Sequence, residues 1–394
     1  MQRKMDYSDI SYAQQALLPE GLRDQLPHVA EAEAHTIRRL MDVFLSFGYD
    51  RVSPPLAEFE ESLLVGPGST KGDSMFRLMD PDSRKVMAIR SDMTPQIARI
   101  AATRLRDRPR PLRLAYAGSV LRVKGSQIRP ARQFYQAGIE LVGASDVAAQ
   151  LEVIRLAVAA LQSVGVADLS VDLTVAPFVP TLCADLNLSA QQTAAVRAAM
   201  DARDIGGLEI LDETIRPVFE VVLKSAGEAK EAVAALEALN ISGHASLYIT
   251  ELAVLTEKLK KALPDVAVTA DPGESHGFDY KSGLGFALFS KSVHGELGRG
   301  GRYEAASTDG TVEEATGFSM YLDSLMAALP TPKSPDKLFV PSAEDFTLAD
   351  QYRKEGWRVI QGLTDEDKSP HTAAEIAKKL GCTHIHSNGT ITAL

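Results

Sequence analysis

PLRLAYAGSVLRVKGSQIRPARQFYQAGIELVG, residues 111–143, reads as two strands joined by a basic, glycine-containing loop. On the first strand Val120, Arg122 and Lys124 alternate with Leu121 and Val123. On the second, Phe134, Gln136, Gly138 and Glu140 alternate with Tyr135, Ala137, Ile139 and Leu141. A period of two sends alternate side chains to opposite faces of a sheet. Arg122, Gln136 and Glu140 therefore share a face. A cation, an amide and a carboxylate on one sheet face can grip a small zwitterion. The same residues fit a solvated sheet face equally well.

Working outward, the rest of the chain narrows the function classes. A length of 394 residues is too long for one ordinary core and suits two or three domains. Hydrophobic content of 45% with 24% charged residues is that of a soluble globular protein. A net charge of −10 argues against a general nucleic-acid surface. The local run RLRDRPRPLR (104–113) holds five arginines, but Pro109 and Pro111 stop any helix there, so it reads as a solvated helix end and turn. Cys183 and Cys382 are far apart and offer no metal spacing, a pattern that fits a reducing cytoplasm without disulfides. No apolar run approaches the roughly 20 residues that span a bilayer. MQRKMDYSDI lacks the apolar core of a signal peptide.

Residues 1–16 read as a loosely held polar arm. In 28–48, Ile37, Leu40, Met41, Phe44 and Leu45 repeat at helical spacing, and Gly48 ends the helix. YDRVSPPLAEFE follows as a short edge strand, because Pro54 and Pro55 cannot donate to a ladder. Residues 75–105 read as a hairpin and a helix, with Asp92 or Thr94 as the cap and Pro95 in the first turn. A cap accounts for one of Asp92 and Thr94, not easily for both. A helix at 145–164, a strand at 169–177, a mostly helical segment at about 178–263 and a strand at 266–271 come next. Residues 278–290 read as a strand broken by Gly283 and Gly285, 294–307 as a glycine-rich turn, and 316–329 as a strand running into a helix. Proline-rich residues 330–336 read as a linker, and 337–394 as a small α/β unit.

Isolated motifs exclude more than they assign. GRGGRY (298–303) resembles a phosphate loop only loosely, lacking GxxxxGK[ST], and its glycines read as allowing a tight turn or a close backbone approach. His384 and His386 share a strand face with no suitable third ligand beyond Cys382, which makes them surface or structural histidines and gives no metal site. There is no HExxH and no GxSxG.

Together, residues 17–329 resemble the catalytic core of class II aminoacyl-tRNA synthetases, specifically histidyl-tRNA synthetase. FGYDRVSPPLAEFE looks like motif 1, LRVKGSQIRPARQFYQAGIELVG like motif 2, HGFDYKSG like the histidine-recognition segment, and GRGGRYEAA with TGFSMYLDSL like motif 3. The resemblance implies an α+β fold, an antiparallel sheet flanked by helices, with a helical insert at about 178–263 and dimerisation through the motif 1-like region. It carries histidine contacts onto Asp92, Thr94, Arg122, Gln136, Glu140 and Tyr280.

The departures reshape the expectation. Lys124 stands where motif 2 has glutamate, Ser324 where motif 3 has the arginine that holds the ATP triphosphate, His276 where a catalytic arginine belongs, and Lys281 where a second tyrosine belongs. Adenylation relies on such cations for several kcal/mol each, and a serine hydroxyl cannot replace a bidentate cation. Amino-acid activation and tRNA charging are therefore expected to be lost, leaving no catalytic residues and no cofactor. With the shortened tail, the pattern resembles the ATP phosphoribosyltransferase regulatory subunit family, which pairs with a short catalytic subunit in the first step of histidine biosynthesis. That implies a cytoplasmic hetero-oligomer, allosterically responsive to histidine, with no tRNA and no membrane partner. The alternative is a divergent histidyl-tRNA synthetase.

Overall fold

The alternation at 111–143 becomes strands β5 (Leu112–Leu121) and β6 (Gln133–Val142) in a computed structural model. The structure describes residues 18–65, 72–125, 129–274, 281–306, 312–330, 336–342, 344, 346–364 and 369–394. The expected arm at 1–16, linker residues 331–335, His276, Tyr280 and the side chain of Lys281 lie outside the described residues. The chain divides into two units, 1–330 and 331–394.

In the first unit, the other strands are β1 (Asp50–Arg51), β2 (Ala57–Phe59), β3 (Arg77–Met79), β4 (Val86–Ile89), β7 (Leu169–Val175), β8 (Gly227–Glu228), β9 (Ala267–Asp271), β10 (Lys281–Ser290), β11 (Gly298–Ala306) and β12 (Val312–Tyr321). Nine of them form one sheet in the order β1-β5-β6-β12-β11-β10-β7-β9-β8. From β5 across to β7 every pairing is antiparallel, as expected. The flanks differ from expectation: β1 runs parallel to β5, and β9 parallel to β7, making the sheet mixed. β2, β4 and β3 form a separate small sheet.

Parity decides which helices cover each face. Ala115, Ala137, Ile139 and Leu141 pack with α1 (Val29–Ser46) and α3 (Val147–Ser163) in one core. Leu114, Tyr116, Val120 and Phe134 point the other way, onto Met93, Ile97, Ala98 and Ala101 of the segment containing α2 (Thr94–Ala102). The stripe of α1 buries Leu40, Met41 and Phe44, whereas Leu45 is 48% exposed and lies off the buried face. Gly48, at φ +83°, takes the left-handed turn after the helix. Asp146 caps α3 by accepting from the Ala149 N–H at 2.8 Å. The expected insert is five helices, α4 (Phe178–Asp185), α5 (Ala190–Ala202), α6 (Arg216–Lys224), α7 (Ala229–Ala238) and α8 (Ala245–Ala262), together with β8. β12 runs directly into α9 (Leu322–Ala328).

Two local expectations need correcting. Residues 298–306 are a central strand, not a turn. A Cβ at Gly300 would strike the Phe286 ring and the Gly317 carbonyl, and one at Gly298 would strike the Ser319 carbonyl. These glycines serve close packing within the sheet rather than chain reversal. Strand β10 is likewise continuous through Gly283 and Gly285, with a register shift against β11 instead of a break.

The second unit has β13 (Lys337–Val340), β14 (Arg358–Gln361), β15 (His384–Ser387) and β16 (Thr390–Ala393), with α10 (Phe346–Lys354) and α11 (Pro370–Lys379). The sheet order is β14-β13-β15-β16, parallel except for the last hairpin. His386 is buried against the Tyr352 hydroxyl at 3.0 Å, and His384 packs on Trp357, so both histidines serve the core of this unit.

Candidate functional site

The β5–β6 register sets Gly118 opposite Gln136 and Leu114 opposite Glu140. On its other side, β6 sets Gln136 opposite Tyr321, Gly138 opposite Ser319 and Glu140 opposite Gly317. Small residues thus alternate with polar ones across three strands. A Cβ at Gly138 would strike the Tyr116 ring and the Phe318 carbonyl, and one at Gly317 would land on the Glu140 carboxylate. The glycines let two bulky polar side chains lie flat over the backbone.

Above this floor sits the start of α2. The Asp92 carboxylate accepts from the Thr94 N–H at 3.1 Å, an Asx-type turn two residues on, and no side chain caps α2 in the usual manner. This explains why both polar residues are needed: Asp92 shapes the backbone and Thr94 turns its hydroxyl inward. Gln136 locks the arrangement, accepting from the Met93 N–H at 3.0 Å and donating to Asp92 at 2.9 Å and to the Ser319 hydroxyl at 2.6 Å.

Glu140 lies deeper, 1% exposed. Tyr303 donates to it at 2.9 Å and Tyr116 at 3.3 Å, while the Tyr116 hydroxyl also meets Ser319 at 2.9 Å and Thr94 at 3.5 Å. Burial pushes the Glu140 carboxyl up to about 8, with the Asp92 charge adding to the rise and the hydroxyl donors opposing it. Burial and the same two carboxylates raise the Tyr116 phenol. Near neutral pH burial thus favours the protonated form of Glu140. The cavity among Thr94, Glu140, Arg299, Tyr303 and Ser319 measures about 10 Å³, room for roughly one water. A larger ligand would have to exchange its own hydrogen bonds for those now made within the cluster. A wider groove of about 580 Å³ lies elsewhere, between the end of α1 and α3, where Arg113 pairs with Glu152.

Of the six residues expected from the sequence, Asp92, Thr94, Gln136 and Glu140 meet in this one network. Arg122 does not join it. β5 ends at Leu121, and the Arg122 guanidinium lies over the Phe134 ring at 4.9 Å with a long contact to the Ser91 carbonyl. Tyr280 lies outside the described residues. The sequence reading missed Tyr116, Tyr303 and Ser319. Tyr116 had a signal: it shares parity with Gln136 and Glu140 once the hairpin register is known. Tyr303 and Ser319 carried none, because their strands' pairings cannot be read from one sequence.

A second cluster lies one pleat along the same strands. Arg129, 8% exposed, extends from the β5–β6 connection to the start of α9. Its Nε lies 3.2 Å from Asp323 and its Nη2 donates to Ser324 at 3.3 Å. Its guanidinium stacks 3.7 Å from the centroid of Tyr321.

The family model of histidyl-tRNA synthetase matches residues 21–325. A protein of Rhodospirillum centenum, named ATP phosphoribosyltransferase regulatory subunit, is 45% identical over 95% of this chain and 96% of its own. A protein of Gluconobacter oxydans with the same name is 40% identical over 95% and 96%. Among solved structures, an ATP phosphoribosyltransferase regulatory subunit/histidyl-tRNA synthetase from Bacillus halodurans superposes with a TM-score of 0.80 at 24% identity, covering 91% of this chain and 96% of that one. A histidyl-tRNA synthetase from a Nostoc species gives 0.78 at 20% identity, covering 94% and 90%.

Proposed function

The chain belongs to the ATP phosphoribosyltransferase regulatory subunit family, and on that premise we propose that it is the non-catalytic subunit of a hetero-oligomeric ATP phosphoribosyltransferase. In the cytoplasm it would assemble with a short catalytic subunit, support the first step of histidine biosynthesis and report histidine by feedback. The observation that carries this reading is the gathering of Asp92, Thr94, Gln136 and Glu140 into one buried polar network, while Ser324 stands where the resemblance calls for a phosphate-holding arginine. The amino-acid side of an activating site is present, and the phosphate side is rebuilt.

In this reading the ammonium and imidazole donors of histidine meet Glu140 and Asp92. Gln136, with Arg122 and Tyr280 at the rim, receives its carboxylate or imidazole side. Feedback then requires only that histidine bind the inhibited assembly more tightly than the active one. Self-association would use the motif 1-like region, residues 47–60.

Calorimetry with histidine, on the chain alone and with its catalytic partner, tests the sensor role. Absence of heat in both sinks it. Co-purification of a short phosphoribosyltransferase chain from host lysate tests the assembly. Histidine-dependent pyrophosphate exchange with ATP, if observed, would return the chain to the synthetases.

A further inference from the structure

Arg129 is a charged side chain buried without any need that the fold itself imposes. A surface loop could have carried it into water, where a cation costs nothing. Instead its guanidinium is surrounded. Tyr321 presents a ring face at 3.7 Å, and Phe134 lies 5.2 Å away. The two rings meet edge to face at 5.9 Å, so they form a corner rather than a flat wall. Asp323 faces Nε at 3.2 Å, Ser324 accepts from Nη2 at 3.3 Å, and Glu296 stands 4.0 Å off, itself paired with Arg299 at 2.6 Å. Two aromatic rings, a carboxylate and a hydroxyl are what a planar, delocalised cation selects over a compact ammonium. Pro130 restricts the Arg129 backbone to extended conformations, and Arg132 is tied to the Gly21 carbonyl through its own N–H at 2.8 Å. The side chain is thus aimed from both ends.

We propose that Phe134, Tyr321, Asp323 and Ser324 form a guanidinium-selective cage and that Arg129 is its resident occupant. The cage lies where the missing arginine of the resemblance would stand, so that side of the site is filled by the protein's own cation. The charges close locally: Asp323 balances Arg129, and Glu296 balances Arg299. Arg129 and Arg299 are each committed to a carboxylate of the protein rather than to a phosphate. Only this last assignment, of the space as a former phosphate site, rests on the proposed function. The cage does not.

The test uses the full chain and one small probe. Arg129→Ala should lower the thermal midpoint by about 5–10 °C, as removal of one partner of a buried pair does. Guanidinium chloride at tens of millimolar, far below denaturing strength, should restore most of that loss in the variant and nothing in wild type. Methylammonium or sodium chloride at equal concentration should not. Adding Asp323→Asn to the variant should abolish the recovery. If Arg129→Ala fails to fold, Arg129→Lys serves, and is expected to fold with a similar loss because an ammonium cannot stack between the rings. An unchanged midpoint, or a recovery shared by methylammonium, overturns the cage. Neither result bears on histidine binding, which calorimetry reads separately.

Discussion

Strands β6 and β12 carry two polar layers, one pleat apart, that satisfy their buried groups in opposite ways. At Gln136 and Ser319 the partners are hydroxyls, a backbone N–H and the half-buried Asp92 carboxylate, with a second carboxyl, Glu140, that burial holds toward its protonated form. At Phe134 and Tyr321 the occupant is a full charge, held by rings and a carboxylate. A neutral hydrogen bond contributes about 1 kcal/mol net, because water offers nearly the same. A desolvated ion pair contributes little overall, but loses several kcal/mol if one member is removed. The first layer can therefore trade partners with a ligand, and the second cannot do so cheaply. Exchangeable and fixed polarity stand side by side on the same backbone.

The comparison is most exposed at the charged layer. Asp323→Ala removes the carboxylate 3.2 Å from the buried Arg129 guanidinium, and denaturant unfolding should show a loss of about 3–5 kcal/mol. A loss below 1 kcal/mol would mean that the layer relaxes into water and is not fixed at all. Gly317→Ala places a Cβ on the Glu140 carboxylate and should cost about 1–3 kcal/mol, with Gly389→Ala in the second unit as a strain-only reference at φ +77°. Glu140 sharpens the neutral layer through pH. Its carboxyl sits near 4.5 unfolded and is pushed up to about 8 folded. The folded state alone holds the proton between those values. Stability should thus fall as pH rises from about 4.5 to about 8 and level off above, with a slope of at most about 1.4 kcal/mol per pH unit. Glu140→Gln should remove that slope, and identical pH profiles for the two proteins would show that Glu140 ionises freely. The smallest effect is expected at Ser319→Ala, about 1 kcal/mol, because Tyr116 and Gln136 keep other partners.

The hairpin, the long helices and the insert were legible because each buries one face and so prints a period of two or 3.6 on the residues. The turn expected at 294–307 failed for the same reason. Its glycines erase the period, and their cause is contact with Phe286 and the backbone of β12, which lies far along the chain. Four of the six expected site residues converged because two lie on one face of β6 and two at the helix start beside it. Arg122 left the group when β5 ended one residue earlier. Arg129 escaped notice because a cation in a Pro- and Gly-rich loop reads as solvent-exposed; only the fold reveals the rings and carboxylate waiting for it.

Beside the site, β5 leaves space for Arg90 at Gly118, where a Cβ would strike its guanidinium. Buried at 6% exposure, it donates to the carbonyls of Ser119 and Pro54 at 2.8 and 3.0 Å and to the Gln96 amide at 3.3 Å. The prolines at 54 and 55 supply no donors, so no backbone ladder can set the edge segment against β5 beyond Val52. There the Arg90 backbone takes over, accepting from the Leu121 N–H at 3.0 Å and donating to the Leu56 carbonyl at 3.1 Å, while its side chain spans the same gap. The small sheet and the large one thus meet at one residue whose backbone and guanidinium both bridge them, with the Val123 N–H donating to the Ser74 carbonyl at 3.0 Å beside it. A change in length between the first strand and α2 therefore has to keep Arg90 at this junction if the floor of the site and the start of α2 are to stay in one frame.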